Sequence, residues 1–125
     1  MAMTWGAASC KAACDARAAR LNSGFLRILS AADVLLAELT LGATAYGAAT
    51  TANPSIATAN AITRDNAANA GGTAAKYQLV QSDGTTIEGT GTVTATGGGG
   101  DVELLSITIE AGLPVEISAH TIRQS

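Results

Sequence analysis

Charge and aromatic rings are both scarce in this chain. Only 14% of its residues are charged and 3% are aromatic, against roughly 25% charged in an average soluble domain. Seven Lys and Arg against ten Asp and Glu leave a net charge of −3. A freestanding nucleic-acid binder is usually basic, because neutralising phosphates drives that affinity. DNA and RNA are therefore not expected as partners. Long apolar runs are missing too. The longest apolar-leaning stretch, Phe25 to Leu41, is interrupted by Arg27, Asp33 and Glu38, so no membrane span is expected. The N-terminus has no basic region followed by an apolar block, which predicts no signal peptide and synthesis in a cytoplasm.

The residues of catalysis and metal binding are equally thin. The only cysteines are Cys10 and Cys14, and the only histidine is His120. A zinc site needs four suitable ligands, so no metal and no cofactor is predicted. The ten acidic residues are scattered, with no pair at acid/base or metal-ligand spacing. Neither G-x-S-x-G nor HExxH occurs. The glycine run Gly97 to Gly100 is followed by Asp101 and a strand-like segment. A phosphate loop would continue with Lys, Ser or Thr and a helix. The sequence reads as that of a non-enzyme.

What the chain does have is Ala, Gly and Thr, arranged with a period of two. Its 125 residues suit a single domain, able to bury about two-thirds of its unfolded surface. The stretch around KYQLVQSDGTTIEGTGTV and DVELLSITIEAG reads as a meander. Tyr77 and Leu79 share one face, Asp83-Gly84 supplies a turn, and Gly89 and Gly91 point to a bulge or a close backbone approach. Further strands are expected at Phe25 to Leu29, at Val34 to Leu41 (where LLAEL makes helix the competitor), at Ser55 to Arg64 and after Pro114. Val102 to Ile109 changes phase between Leu104 and Leu105, which predicts a bulge or a crossing. Tyr46 is expected to plug a sheet edge or to meet a partner. His120 is expected to be an exposed strand residue. The fold class predicted is mainly β, an antiparallel β-sandwich or jelly roll of about seven or eight strands with one N-terminal α-helix.

That helix is predicted over Thr4 to Leu21, capped by Thr4 and stopped by Asn22-Ser23-Gly24. Its expected apolar stripe is Trp5, Ala8, Ala12 and Ala19. The domain division expected is 1–24 as helix or docking arm and 25–125 as the sandwich, although packing of the helix on its own sheet is an open alternative. In CKAAC, helical spacing puts both thiols on one face, where they do not readily bond to each other. Two small buried residues, or a disulfide to a neighbouring subunit formed in an oxidising exterior, are the two readings.

The order of the opening helix, GFLRILSAADVLLAELTL, the Tyr-Gly pair in GATAYGAAT, the SDGT turn and the I-x-AG-x-x-V corner resembles small tailed-bacteriophage virion structural proteins encoded among head and tail genes. The resemblance covers nearly the whole chain. Cys10, Cys14 and the glycine run 97–100 depart from it. It implies a virion building block without catalytic residues, made in the host cytoplasm. The first expectation is a capsid decoration (cement) protein that binds the outside of the shell and bridges major capsid subunits. A tail, neck, baseplate or fibre component is the alternative, as is a small receptor- or carbohydrate-binding module. The implied partners are the major capsid protein or other virion proteins, and further copies of itself as a homo-oligomer. The implied contacts are the sheet edges and the helix residues Trp5, Lys11, Arg17 and Arg20, with Cys10 and Cys14 available for the inter-subunit disulfide.

Overall fold

The computed structural model describes residues 4–98, 102–104 and 106–124. The chain is mainly β with one N-terminal helix. Helix α1 spans Ala7–Ala19 and is followed by β1 (Phe25–Leu29), β2 (Leu35–Thr40), β3 (Ser55–Thr58), β4 (Gly72–Thr73) and β5 (Lys76–Val80). Then come β6 (Ile87–Ala95), β7 (Val102–Leu104), β8 (Thr108–Ile109) and β9 (Ile117–Gln124). Seven of them form one sheet in the order β2-β1-β5-β6-β7-β9-β3, and β4 pairs with β8 alone. All pairings are antiparallel except β6 with β7, which is parallel.

Alternation explains the central strands. Leu26 and Ile28 point into the core from β1, as do Tyr77 and Leu79 from β5. Between the first two, Arg27 faces outward, opposite Glu38 of β2, and the pair closes at 2.6 Å. Arg27 also donates to the carbonyl of Gly84 at 2.8 Å, which holds the Asp83-Gly84 turn over this face. Gly84 adopts φ 77°, a conformation that side chains disfavour. Asp83 accepts from the Thr86 hydroxyl and from the amides of Thr85 and Thr86, and these bonds hold its carboxyl down to about 2. Leu35–Thr40 is strand rather than helix because it completes this ladder beside β1.

The two ends of the seven-stranded sheet are brought together by the segment 59–65. Ala59 bridges to Tyr46, Thr63 to Thr40 of β2, and Asp65 to Val115. The result is a sandwich-like fold around one core, in which Leu26, Ile28, Leu36, Leu39 and Leu104 are fully buried. Each such side chain contributes roughly 1.5–3 kcal/mol of transfer free energy.

Both outer strands have their backbone edges covered. Leu36 O accepts from the amides of Asn69 and Ala70, and Glu38 N donates to Asp65 Oδ2. On β3, Gly47 N reaches Thr58 O and Thr50 N reaches Ile56 O. For the strand edges to serve as the expected oligomer contacts, β2 and β3 would have to give up these bonds.

The helix differs from its expected form in three respects. It begins at Ala7 with Gly6 at the cap and no side-chain capping bond, so Thr4 does not cap it. Its buried face is Cys10, Cys14 and Ala18, not the stripe through Trp5, Ala8 and Ala12, which is exposed. Cys14, Ala18 and the following Leu21 belong to the common core. A division into an arm at 1–24 and a separate domain at 25–125 does not describe this packing. Ser55 to Arg64 is strand only as far as Thr58. Val102 to Ile109 is two strands in different sheets. The phase change at Leu105 and the glycines 99 and 100 lie outside the described residues.

Candidate binding cleft

The expected bulge in β6 falls at Glu88. Against β5, Leu79 pairs with Gly89 but Val80 pairs with Ile87, which leaves Glu88 out of the ladder. A bulge re-aims the side chain of the extra residue. Glu88 accepts from Gln81 Nε2 and from Arg20 at the end of α1, with Arg20 Nη2 at 2.9 Å. The Gln81 bond first, and then the Arg20 bond and charge, hold the Glu88 carboxyl below the usual range. Gly91, two residues after Gly89, packs against the ring of Tyr77, where an added Cβ would lie 2.5 Å from a ring carbon.

Beside this contact a cleft of about 540 Å³ opens between α1, β6 and β9. Leu21, Leu79 and Ile122 form an apolar floor. Arg17, Arg20 and Arg123, with the hydroxyls of Thr90 and Thr121, form the rim. Five of the basic side chains are engaged elsewhere or across this cleft: Lys11 with Asp15, Arg20 with Glu88, Arg27 with Glu38, Arg64 with Glu116, and Lys76 with Asp33. Among the described residues, Arg17 and Arg123 are the Lys and Arg side chains outside these pairs, and both line the cleft. Arg123 is absent from the site expected on sequence, because it lies at the far end of the chain in the last strand. Its phase relative to a helix near the N-terminus is set only by the fold.

The residues expected at a partner contact are therefore divided. Trp5 is 52% exposed ahead of the helix. Lys11 is bonded at 2.7 Å to Asp15, whose other oxygen accepts from Ala49 N at 2.8 Å. The Lys11 bond first, then the Ala49 amide, lower the Asp15 carboxyl. Arg17 and Arg20 face the cleft. Cys10 and Cys14 are each 1% exposed and unpaired. A disulfide to a neighbouring subunit does not fit this arrangement, since α1 would have to lift from β3 and β9 before either sulfur met a partner.

His120 is not an exposed strand residue. It is 4% exposed, with Nε2 at 2.6 Å from Tyr46 Oη and its ring packed edge-on against both Tyr46 and Tyr77. The reason is a register slip: β9 pairs Ala119 with Glu103 but Ile117 with Leu104. The skipped residue inverts the alternation that the sequence implies for the end of the strand. Tyr46, expected at a sheet edge, is 4% exposed, and burial pushes its hydroxyl up. The cluster joins loop, β5 and β9 inside the core. Among the described residues, no three His, Cys, Asp or Glu side chains converge as a metal site, and no helix is long and apolar enough to cross a membrane.

Comparison with protein-family models, with curated proteins and with solved structures gives no match.

Proposed function

We propose that this chain is a structural protein of a tailed-phage virion. Within that class we propose a capsid decoration protein that binds the outside of the shell and bridges major capsid subunits. The observation that carries the reading is the outer face of α1. The helix is fixed to the core through Cys10, Cys14 and Ala18, while Ala8, Ala12, Ala16 and Ala19 are exposed in a row headed by Trp5. A rigid helix whose free side is smooth and small lets another surface approach closely, and a large ring at its end supplies an anchor. Repeated over a lattice, modest contacts of this kind sum through multivalency. The acid excess suits an exterior position.

The carbohydrate-binding alternative has less support, because Tyr46 and Tyr77 are buried and cannot offer stacking platforms. The test is cosedimentation of the purified protein with empty shells, with tail tubes as the control. Saturable binding at a fixed ratio to the major capsid subunit, lost in Trp5→Ala, is expected. Binding to tail tubes alone would replace decoration by a tail component. Binding to neither would remove the virion reading.

A further inference from the structure

We infer that the cleft between α1, β6 and β9 takes an extended acidic segment of a partner chain. This site is distinct from the outer helix face, and the inference does not depend on what that face binds. Three observations lead to it.

The first is backbone direction. Val93 N donates to Ala75 O beside β5 at 3.1 Å. Alternation along β6 then turns the N–H and C=O of Thr90 away from β5 and toward the cleft. On β9, Ala59 N donates to His120 O at 3.1 Å. By the same alternation Arg123 turns its N–H and C=O away from β3 and toward the cleft. The strand lying between β6 and β9 is β7, whose ladders among the described residues pair it with Val93 to Ala95 on one side and Ile117 to His120 on the other. Thr90 and Arg123 lie beyond its end. While β2 and β3 have covered edges, these two positions present main-chain donors and acceptors that no strand among the described residues pairs with.

The second observation is charge. In an acidic chain, the two basic side chains outside ion pairs among the described residues, Arg17 and Arg123, sit on the rim of this cleft. Arg20 is beside them, and Glu88, which feels the charges of Arg20 and Arg17, is the one carboxylate among the lining residues. Guanidinium forks match carboxylates in geometry as well as in sign. The third is the floor. Leu21, Leu79 and Ile122 would receive an apolar side chain carried between the acidic ones. An extended segment presents alternate side chains to opposite sides, so acidic–apolar alternation fits main-chain contacts, rim and floor together. This is strand addition with charge selection.

The experiment uses the full chain labelled with ¹⁵N and a capped pentapeptide alternating Glu and Val. Lys–Val peptide and octanoate serve as the other arms. In the free protein the amides of Thr90 and Arg123 should exchange faster than those of Gly91 and Ile122, which face β5 and β3. Glu–Val peptide should shift and slow them saturably, with affinity that weakens as salt is added. Arg17→Glu and Arg123→Glu should each reduce affinity about tenfold or more, with the amide spectrum otherwise retained, while Arg64→Glu leaves it unchanged. Five results would overturn the proposal. Amides of Thr90 and Arg123 already protected at all dilutions mean that the chain fills its own cleft. Protection that fades on dilution assigns the cleft to a second copy. Octanoate binding as tightly as the peptide makes it a small-molecule site. No saturable shift by about 5 mM Glu–Val peptide, or equal binding of the Lys–Val peptide, removes the acidic segment.

Discussion

Arg20 at the end of α1 and Glu88 on the bulge of β6 are joined at 2.9 Å across the mouth of the cleft. The helix packs mainly on β3 and β9, so this ion pair is its clasp to the other side of the sheet. The bond from Gln81 is the first contribution that holds the Glu88 carboxyl down, and the bond and the charge of Arg20 add to it.

The pH behaviour follows from these contributions. A carboxyl held below its unfolded value contributes stability that is fully present above that value and is lost as pH falls through the folded one. Glu88 should therefore titrate below the ordinary Glu range in a ¹³C carboxyl titration. Gln81→Leu and Arg20→Ala should each raise it. No rise in Arg20→Ala would mean that the clasp does not hold the charge of Glu88.

Gly91 and Gly89 offer a matched pair of substitutions. A Cβ at Gly91 would meet the buried Tyr77 ring at 2.5 Å, whereas a Cβ at Gly89 meets nothing within 4 Å. Gly91→Ala should cost about 1–3 kcal/mol in urea unfolding, the usual range for overpacking. Gly89→Ala should be close to neutral. Equal costs would show that Tyr77 is free to move aside.

Tyr46→Phe removes one partner of a buried hydrogen bond and little else. His120 Nε2 then loses its contact at 2.6 Å inside the core. The expected loss is about 1–3 kcal/mol by chemical denaturation, the penalty for stranding a buried polar group. A neutral result would imply that water replaces the hydroxyl, and hence that the cluster is reachable from outside.

The helix should prove inseparable from the sheet. Deleting residues 1–21 removes Cys14, Ala18 and Leu21 from the core, and the product is expected to lose its dispersed amide spectrum. In the intact protein both thiols, 1% exposed, should react with a thiol reagent only as fast as the fold opens. A folded deletion product would restore the detachable arm. Rapid labelling, with reductant-sensitive ladders on gels of virions, would restore the crosslink.

These expectations show where sequence pattern is informative. Strands β1 and β5 and the turn at Asp83-Gly84 are legible because short apolar runs and a glycine at positive φ are local signals, whereas β2 alternates only in part and its ladder with β1 decides against helix. The bulge near Gly89 is legible for the same reason. The burial of His120 is not, because a register slip opposite β7 inverts the phase of β9. The buried face of α1 was hidden by chemistry: Cys10, Cys14 and Ala18 are little different in size from the alanines on the free face, so periodicity alone chose the side with tryptophan. The cleft was least visible, since Arg17 and Arg123 come from opposite ends of the chain and meet only through the order of strands.

The loops laid along β2 and β3 carry a consequence for life at high copy number. A β-protein rich in Thr and poor in charge is, when crowded, at hazard of polymerising by one sheet adding to the next. Here residues 47–50 and 65–70 already occupy the hydrogen-bonding positions that such growth would need. The molecule is in effect self-terminating at both outer strands. Growth by strand addition at either outer strand would first have to displace these loops.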